Sequence, residues 1–136
     1  MFLQDQVELT ERLQLRLGAR YDDYELRTEN YITDIDSERQ EGRLSPQLGV
    51  VYELSEPVVL YANYGEGFRA NIGTDVNGNI FDPEETRAVE AGAKLALFDG
   101  AIDATVAVFS QEKKNVLASD INNPGFSAAI GKARSR

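Results

Sequence analysis

Between Leu13 and Tyr21 the chain alternates without a break: Leu13, Leu15, Leu17, Ala19 and Tyr21 are apolar, and Gln14, Arg16, Gly18 and Arg20 are not. A helix would scatter that set around its axis, whereas a strand puts every second side chain on one face. The stretch therefore reads as a strand with one apolar and one polar side. The same period, less regular, recurs at Leu3, Val7 and Leu9, at Leu44, Leu48, Val50, Tyr52 and Leu54, and at Ile102, Ala104, Val106 and Val108.

The segment EETRAVEAGAKLALF is rich in good helix formers and is followed by Asp99-Gly100, a natural helix stop. Against a helix, Val89, Ala91, Ala93, Leu95 and Leu97 alternate strictly, and Gly92 in mid-helix would cost about 1 kcal/mol. The alternation favours a strand here too. Connections then fall into two kinds. Short turns lie near Thr10-Glu11-Arg12, Ser55-Glu56-Pro57 and Phe98-Asp99-Gly100, and long loops near Thr28–Gly42, Asn71–Asp82 and Ala118–Ala129. Their regular alternation sends all the long loops to one end.

Such a meander, apolar on one face, is the layout of an outer-membrane barrel wall. A soluble β-sandwich or lipocalin-like barrel has the same alternation. Two features favour the membrane: the apolar face of Leu13–Tyr21 carries no charge, and the strand running on to Arg27 is longer than soluble sheets usually need. No helix can span a bilayer, since the longest apolar run, VVLYA at Val58–Ala62, is far below about 20 residues. The opening MFLQDQVELTERL has neither the basic nor the apolar region of a signal peptide, so export would need a signal from outside these residues.

Composition removes several classes of chemistry. With no cysteine and no histidine there is no thiol or imidazole nucleophile, no disulfide and no zinc site of the usual ligand types. A net charge of -9 argues against a nucleic-acid partner. The carboxylate pairs Asp22-Asp23, Asp34 with Asp36, and Glu84-Glu85 fit no calcium loop; the nearest approach, Asp75, Asn77 and Asn79, reads as a solvated loop. GEGFRA lacks the third glycine of a dinucleotide fingerprint. No catalytic residue, metal or cofactor is expected.

In order along the chain, LSPQLGVVYEL, VVLYANYGEGFRA, FDPEETRAVEAGAKLALFDGAIDATVAVFSQEKKNVLASD and GKARSR resemble the barrel of TonB-dependent siderophore receptors, and QDQVELTERLQLRLGARYDDY resembles the hairpin before them. The resemblance covers nearly all 136 residues. It implies an all-β, antiparallel meander of six strands and the start of a seventh at Gly131–Arg136. Such a stretch is an internal part of a barrel of about 22 strands, without the plug domain or the segment that touches TonB.

The resemblance further implies TonB-energised uptake of a ferric siderophore or similar chelate through the outer membrane of a Gram-negative bacterium. Lipid is then a partner of the apolar face, and TonB acts only through regions outside this chain. The alternative is a soluble β-rich module whose loops bind a protein or sugar.

Local chemistry agrees with a wall. Ser45-Pro46 is expected near the start of its strand, where a missing donor is tolerated. Asp99-Gly100 suits a tight turn, Gly65 and Gly67 a bend where a strand leaves the membrane, and Gly92 a close approach of neighbours. Tyr61 and Tyr64 suit the membrane boundary. Gln14, Arg16, Arg20, Glu90 and Lys94 are the lumen-facing candidates. Tyr31, Phe68, Arg69 and Phe81 lie in or beside long loops, where aromatics can cover a chelate and Arg69 can pair with its negative charge. Within Thr28–Gly42, however, five acidic residues face a single Arg39, which disfavours an anionic chelate. Either the ligand is not anionic, or this segment lies off its path, or divalent ions offset the charge.

Overall fold

The computed structural model describes residues 1–30, 35–98 and 101–136. Among these there is no helix. Nine strands form: β1 (Phe2–Thr10), β2 (Leu13–Asn30), β3 (Ile35–Ser55), β4 (Val58–Arg69), β5 (Glu84–Leu97), β6 (Ile102–Lys114), β7 (Leu117–Ser119), β8 (Ser127–Ala129) and β9 (Lys132–Ser135). Seven make one antiparallel sheet in the order β1-β2-β3-β4-β5-β6-β9, and β7-β8 is a small hairpin within the β6–β9 connection. The ambiguous segment is strand β5, and the seventh wall strand lies within Gly131–Arg136 as expected.

Register places one apolar surface across the sheet. Leu15 lies between Val7 and Val50, Leu17 opposite Leu48, and Tyr21 opposite Leu44. The row continues through Tyr52 with Leu60, Ala62 with Ala91, Tyr64 with Val89, and Ala93 with Val106. Nothing covers this surface: Leu44 is 62% exposed, Val106 64% and Val108 72%. Apart from Pro83, no apolar side chain among the described residues is buried. A water-soluble sandwich would bury such a surface against a second layer.

From Leu13 to Tyr21 the band takes eight steps of about 3.3 Å, or about 26 Å along the strand. Tilted by about 40°, that gives about 20 Å of thickness, close to the outward apolar band of membrane barrels. Tyr21 and Tyr64 sit at its loop end and Tyr52 toward its turn end, where amphipathic rings suit a bilayer interface.

Tyr61 corrects the pairing of the two tyrosines. Residues three apart on a strand face opposite ways, so Tyr61 lies on the polar face against Gly92 while Tyr64 faces outward. A Cβ at Gly92 would come within 2.6 Å of the Val106 carbonyl and 2.8 Å of the Tyr61 ring. The apolar face also holds a charge: Asp5 of β1 pairs opposite Leu17.

Two further expectations are corrected. Thr28–Gly42 is mostly ladder rather than loop, because β2 and β3 stay paired in one register from Leu13↔Tyr52 to Asn30↔Ile35. Backbone hydrogen bonds do not require an apolar face, so pairing continues above the band, with Arg27 opposite Glu38 and Asp22 opposite Arg43. Ser45-Pro46 is consequently in mid-strand. The β3–β4 ladder stops at Gln47↔Gly65, one residue short of Pro46, which has no N–H to donate. β4 continues with β5 alone to Arg69↔Glu84. Above Gln47 the sheet therefore splits into a β2–β3 ribbon and a β4–β5–β6 wall. Of the short turns, Asp99-Gly100 lies outside the described residues; beside it Ala101 N–H donates to the Phe98 carbonyl at 3.1 Å.

Candidate functional site

All five polar wall candidates occupy the face opposite the apolar band. Gln14, Arg16 and Arg20 pair across to Glu8, Gln6 and Phe2 of β1, while Glu90 and Lys94 pair to Asn63 and Val59 of β4. They form short polar chains on the sheet. Gln6 Nε2 donates to Gln14 Oε1 at 3.4 Å, Arg16 Nη2 donates to Gln6 Oε1 at 3.4 Å, and Arg20 Nε donates to Asp22 Oδ2 at 2.6 Å. Lys94 Nζ stands 5.9 Å above the Tyr61 ring.

Of the four loop candidates, Tyr31 lies outside the described residues. Phe68 and Arg69 are neighbours on β4 and so face opposite ways, Phe68 paired with Glu85 and Arg69 with Glu84. The Phe68 ring stacks on Tyr24 of β2, with centroids 5.5 Å apart and planes 23° from parallel. Arg69 is exposed and its Nη2 donates to Glu84 Oε2 at 3.2 Å. Phe81 is half-buried, and its carbonyl accepts Arg39 Nη1 at 3.4 Å. The three described candidates thus gather at the loop end of the wall, around the split in the sheet.

Two clusters that the sequence reading missed hold this lip. Glu84, buried, bridges two cations, since Lys113 Nζ donates to its Oε1 at 3.0 Å beside the Arg69 bond. Taking a carboxylate out of water is costly unless it is paired and hydrogen-bonded in this way. Next to it, buried Asn71 Nδ2 donates to the Asp82 carbonyl at 2.7 Å and the Asn115 carbonyl at 2.8 Å, and Asn115 Nδ2 returns a bond to the Pro83 carbonyl at 2.9 Å. These bonds pin both ends of the 70–83 loop to the top of β6.

The second cluster crosses the split. Arg39 Nη2 donates to Asp82 Oδ1 at 2.8 Å, and Arg43 Nη1 lies 3.0 Å from Glu85 Oε1. Glu41 sits between the two arginines, 3.0 Å from Arg39 Nε and 2.9 Å from Arg43 Nη2. This answers part of the acidic excess of the ribbon: Glu41 is neutralised in place, and Arg43 adds a second cation. Burial and the adjacent Glu41 carboxylate raise the Tyr24 phenol above its usual range. Below the crossing a cleft of about 140 Å³, lined by Arg43, Ser45, Phe68, Glu85 and Lys114 among others, opens between β3 and β4. Arg43 Nε is buried there without a hydrogen-bond partner. Register exposes these contacts; sequence spacing alone does not, because Arg39 and Asp82 are joined only once β3, β4 and β5 are aligned.

In the 70–83 loop, Asp75 accepts the Asn77 and Asn79 N–H groups at 2.8 and 2.9 Å and Asn79 Nδ2 at 2.9 Å. Those bonds, Asn79 first, hold its carboxyl below the usual range. Both oxygens thus serve the turn itself. Among the described residues no three metal-ligating side chains converge.

The family model for TonB dependent receptor-like β-barrels matches residues 1–136. The chain is 42% identical over 140 residues to the metal-pseudopaline receptor CntO of Pseudomonas aeruginosa, covering 98% of this chain and 20% of that protein. It is 29% identical to the ferrichrome outer membrane transporter/phage receptor of Escherichia coli, over 100% of this chain and 18% of that one. The crystal structure of the ferripyoverdine receptor of Pseudomonas aeruginosa bound to ferripyoverdine superposes with a TM-score of 0.75 at 28% identity, over 98% of this chain and 18% of that one. The chain thus spans about a fifth of the length of these relatives. Matched along its whole length and superposing on a receptor wall, the chain belongs to the TonB-dependent receptor-like β-barrel family.

Proposed function

We propose that these residues form part of the wall and outer lip of an outer-membrane receptor that takes up a metal chelate, with energy delivered through TonB by regions beyond this stretch. The observation that carries the reading is the uncovered apolar band, one strand-span tall and backed by a polar face, with no apolar core behind it among the described residues. Lipid covers the band, and Gln14, Arg16, Arg20, Glu90 and Lys94 face the lumen. The alternative of a soluble β-rich module loses support on the same ground, since it needs those side chains buried.

The relatives are named as receptors for metal-pseudopaline, ferrichrome and ferripyoverdine, so the cargo class is a ferric siderophore or kindred metal chelate. Arg69 contributes positive charge at the lip, and Phe68 and Phe81 contribute apolar cover. Tyr31 belongs to the same ligand-contact proposal. The test is accumulation of labelled metal in cells whose only receptor of this class is the full-length protein, supplied in turn with metal-pseudopaline, ferrichrome and ferripyoverdine. Uptake of at least one, abolished when TonB is deleted, is the expected result. Failure to accumulate any of them, with the receptor folded in the outer membrane, would sink the proposal.

A further inference from the structure

Among the described residues above Gln47↔Gly65, the β2–β3 ribbon has no backbone ladder to β4, and its side chains reach across to the β4–β5 wall. Among the described residues the gap is crossed by Arg39 with Asp82 and the Phe81 carbonyl, by Arg43 with Glu85, and by Tyr24 stacked on Phe68. On the wall side the landing points are rigid, because Asn71 and Asn115 pin the stretch that holds Asp82 and Pro83. On the ribbon side the part free of β4 begins at Pro46, where the β3–β4 ladder ends.

A two-stranded ribbon joined to a fixed wall at one end is a lever, and at Tyr24, Arg39 and Arg43 it is held to the wall by ring stacking and ion pairs rather than by a ladder. Part-exposed ion pairs of this kind are individually weak. They therefore set a closed position without making it permanent.

We propose that Arg39 and Arg43 are positioning residues that clamp the β2–β3 ribbon over the split, and that releasing them lets the ribbon swing off the wall and carries Tyr24 away from Phe68. The clamp fixes two of the proposed chelate contacts at once, the Phe68 ring through Tyr24 and the Phe81 backbone through Arg39. Its bearing on uptake rests on the function proposed above; the motion itself does not. Ribbon position and chelate contact are thus coupled through the same few atoms.

The test uses the full-length receptor without any chelate, so its outcome is independent of the cargo. Spin labels go on the ribbon at Gln40→Cys and on the loop at Val76→Cys, two exposed positions in a stretch free of native cysteine. Pulsed dipolar spectroscopy then reads the distance between them. With the arginines present, one narrow distribution is expected. Arg39→Gln with Arg43→Gln should broaden it and move its mean outward by at least about 5 Å, one strand spacing. Exchanging charges, Arg39→Asp with Asp82→Arg, should restore much of the narrow distribution. An unchanged distribution in the double variant overturns the proposal, and so does a broadening that the exchange leaves untouched. Where a variant fails to insert, the parent receptor at 1 M salt reads the same clamp, since screening then acts over about 3 Å: broadening supports it and constancy refutes it.

Discussion

Thr105 and Val106 are neighbours in sequence that stand on opposite sides of the sheet, and a positive charge at each separates a membrane wall from any other sheet. Val106 pairs with Ala93 on the apolar face, midway between the Leu97↔Ile102 and Val89↔Ser110 rows. Four residues from either row is about 13 Å along the strand, or about 10 Å of depth at a tilt of about 40°. That puts the side chain near the bilayer midplane. Val106→Arg should then destabilise the full-length barrel by about 3 kcal/mol, within the 2–4 kcal/mol typical of midplane arginine, a factor on the order of 100 in the folding equilibrium. Thr105→Arg projects into the polar face beside Lys94, where like charges across a ladder cost at most about 1 kcal/mol. Urea titration of receptors folded in lipid vesicles, with the folded fraction read from the mobility of unheated samples, measures both. Equal costs, or a larger cost at Thr105, would refute the assignment of faces.

Two local predictions follow from the lip. Asn71→Ala removes one donor group from two carbonyls in a buried setting, so the 70–83 loop should loosen at a cost of about 1–3 kcal/mol. Faster cleavage within that loop by a site-specific protease, with the barrel intact, would show it. Asp75 has a folded pKa below its unfolded one, so its contribution to the turn is complete above the ordinary carboxylate range and disappears as pH falls through the depressed value. Protection factors of the Asn77 and Asn79 amides, taken relative to the intrinsic exchange rate at each pH, should fall on acidification, and Asp75→Asn should remove most of that pH dependence.

The sequence read well wherever one face meets an apolar medium. At Leu13–Tyr21 and Val89–Leu97 the alternation alone gives strand and facing, and at Glu84–Leu97 it outweighs helix propensity, as the β5 ladder shows. It reads poorly where both faces meet water: Thr28–Gly42 shows no strand period and reads as a loop, although β2 and β3 stay paired up to Asn30↔Ile35. Tyr61 and Tyr64 show a second limit, since residue type placed both at an interface and strand parity separates them. Asp5 is a third, a carboxylate whose position opposite Leu17 depends on the β1–β2 register. The lip is the least legible part. Glu84 meets Lys113 through the β5–β6 ladder and Arg39 meets Asp82 through the β3–β4 and β4–β5 ladders, so each contact depends on those ladders keeping count.

That count has a consequence for how the sheet can go wrong. Through β6 each strand pairs only with its sequence neighbours, and between β2 and β3 one unbroken register runs for eighteen residues. Orientation is therefore handed from hairpin to hairpin. A slip of one residue in β2–β3 would turn every later strand inside out, offering Lys94 and Glu90 to lipid and Val106 and Val108 to water. The two irregular registers, Glu8/Thr10 and Glu53/Ser55, both sit against the short turns. Errors of length are absorbed there, at the ends of the strands, where no membrane-spanning residue has to change sides.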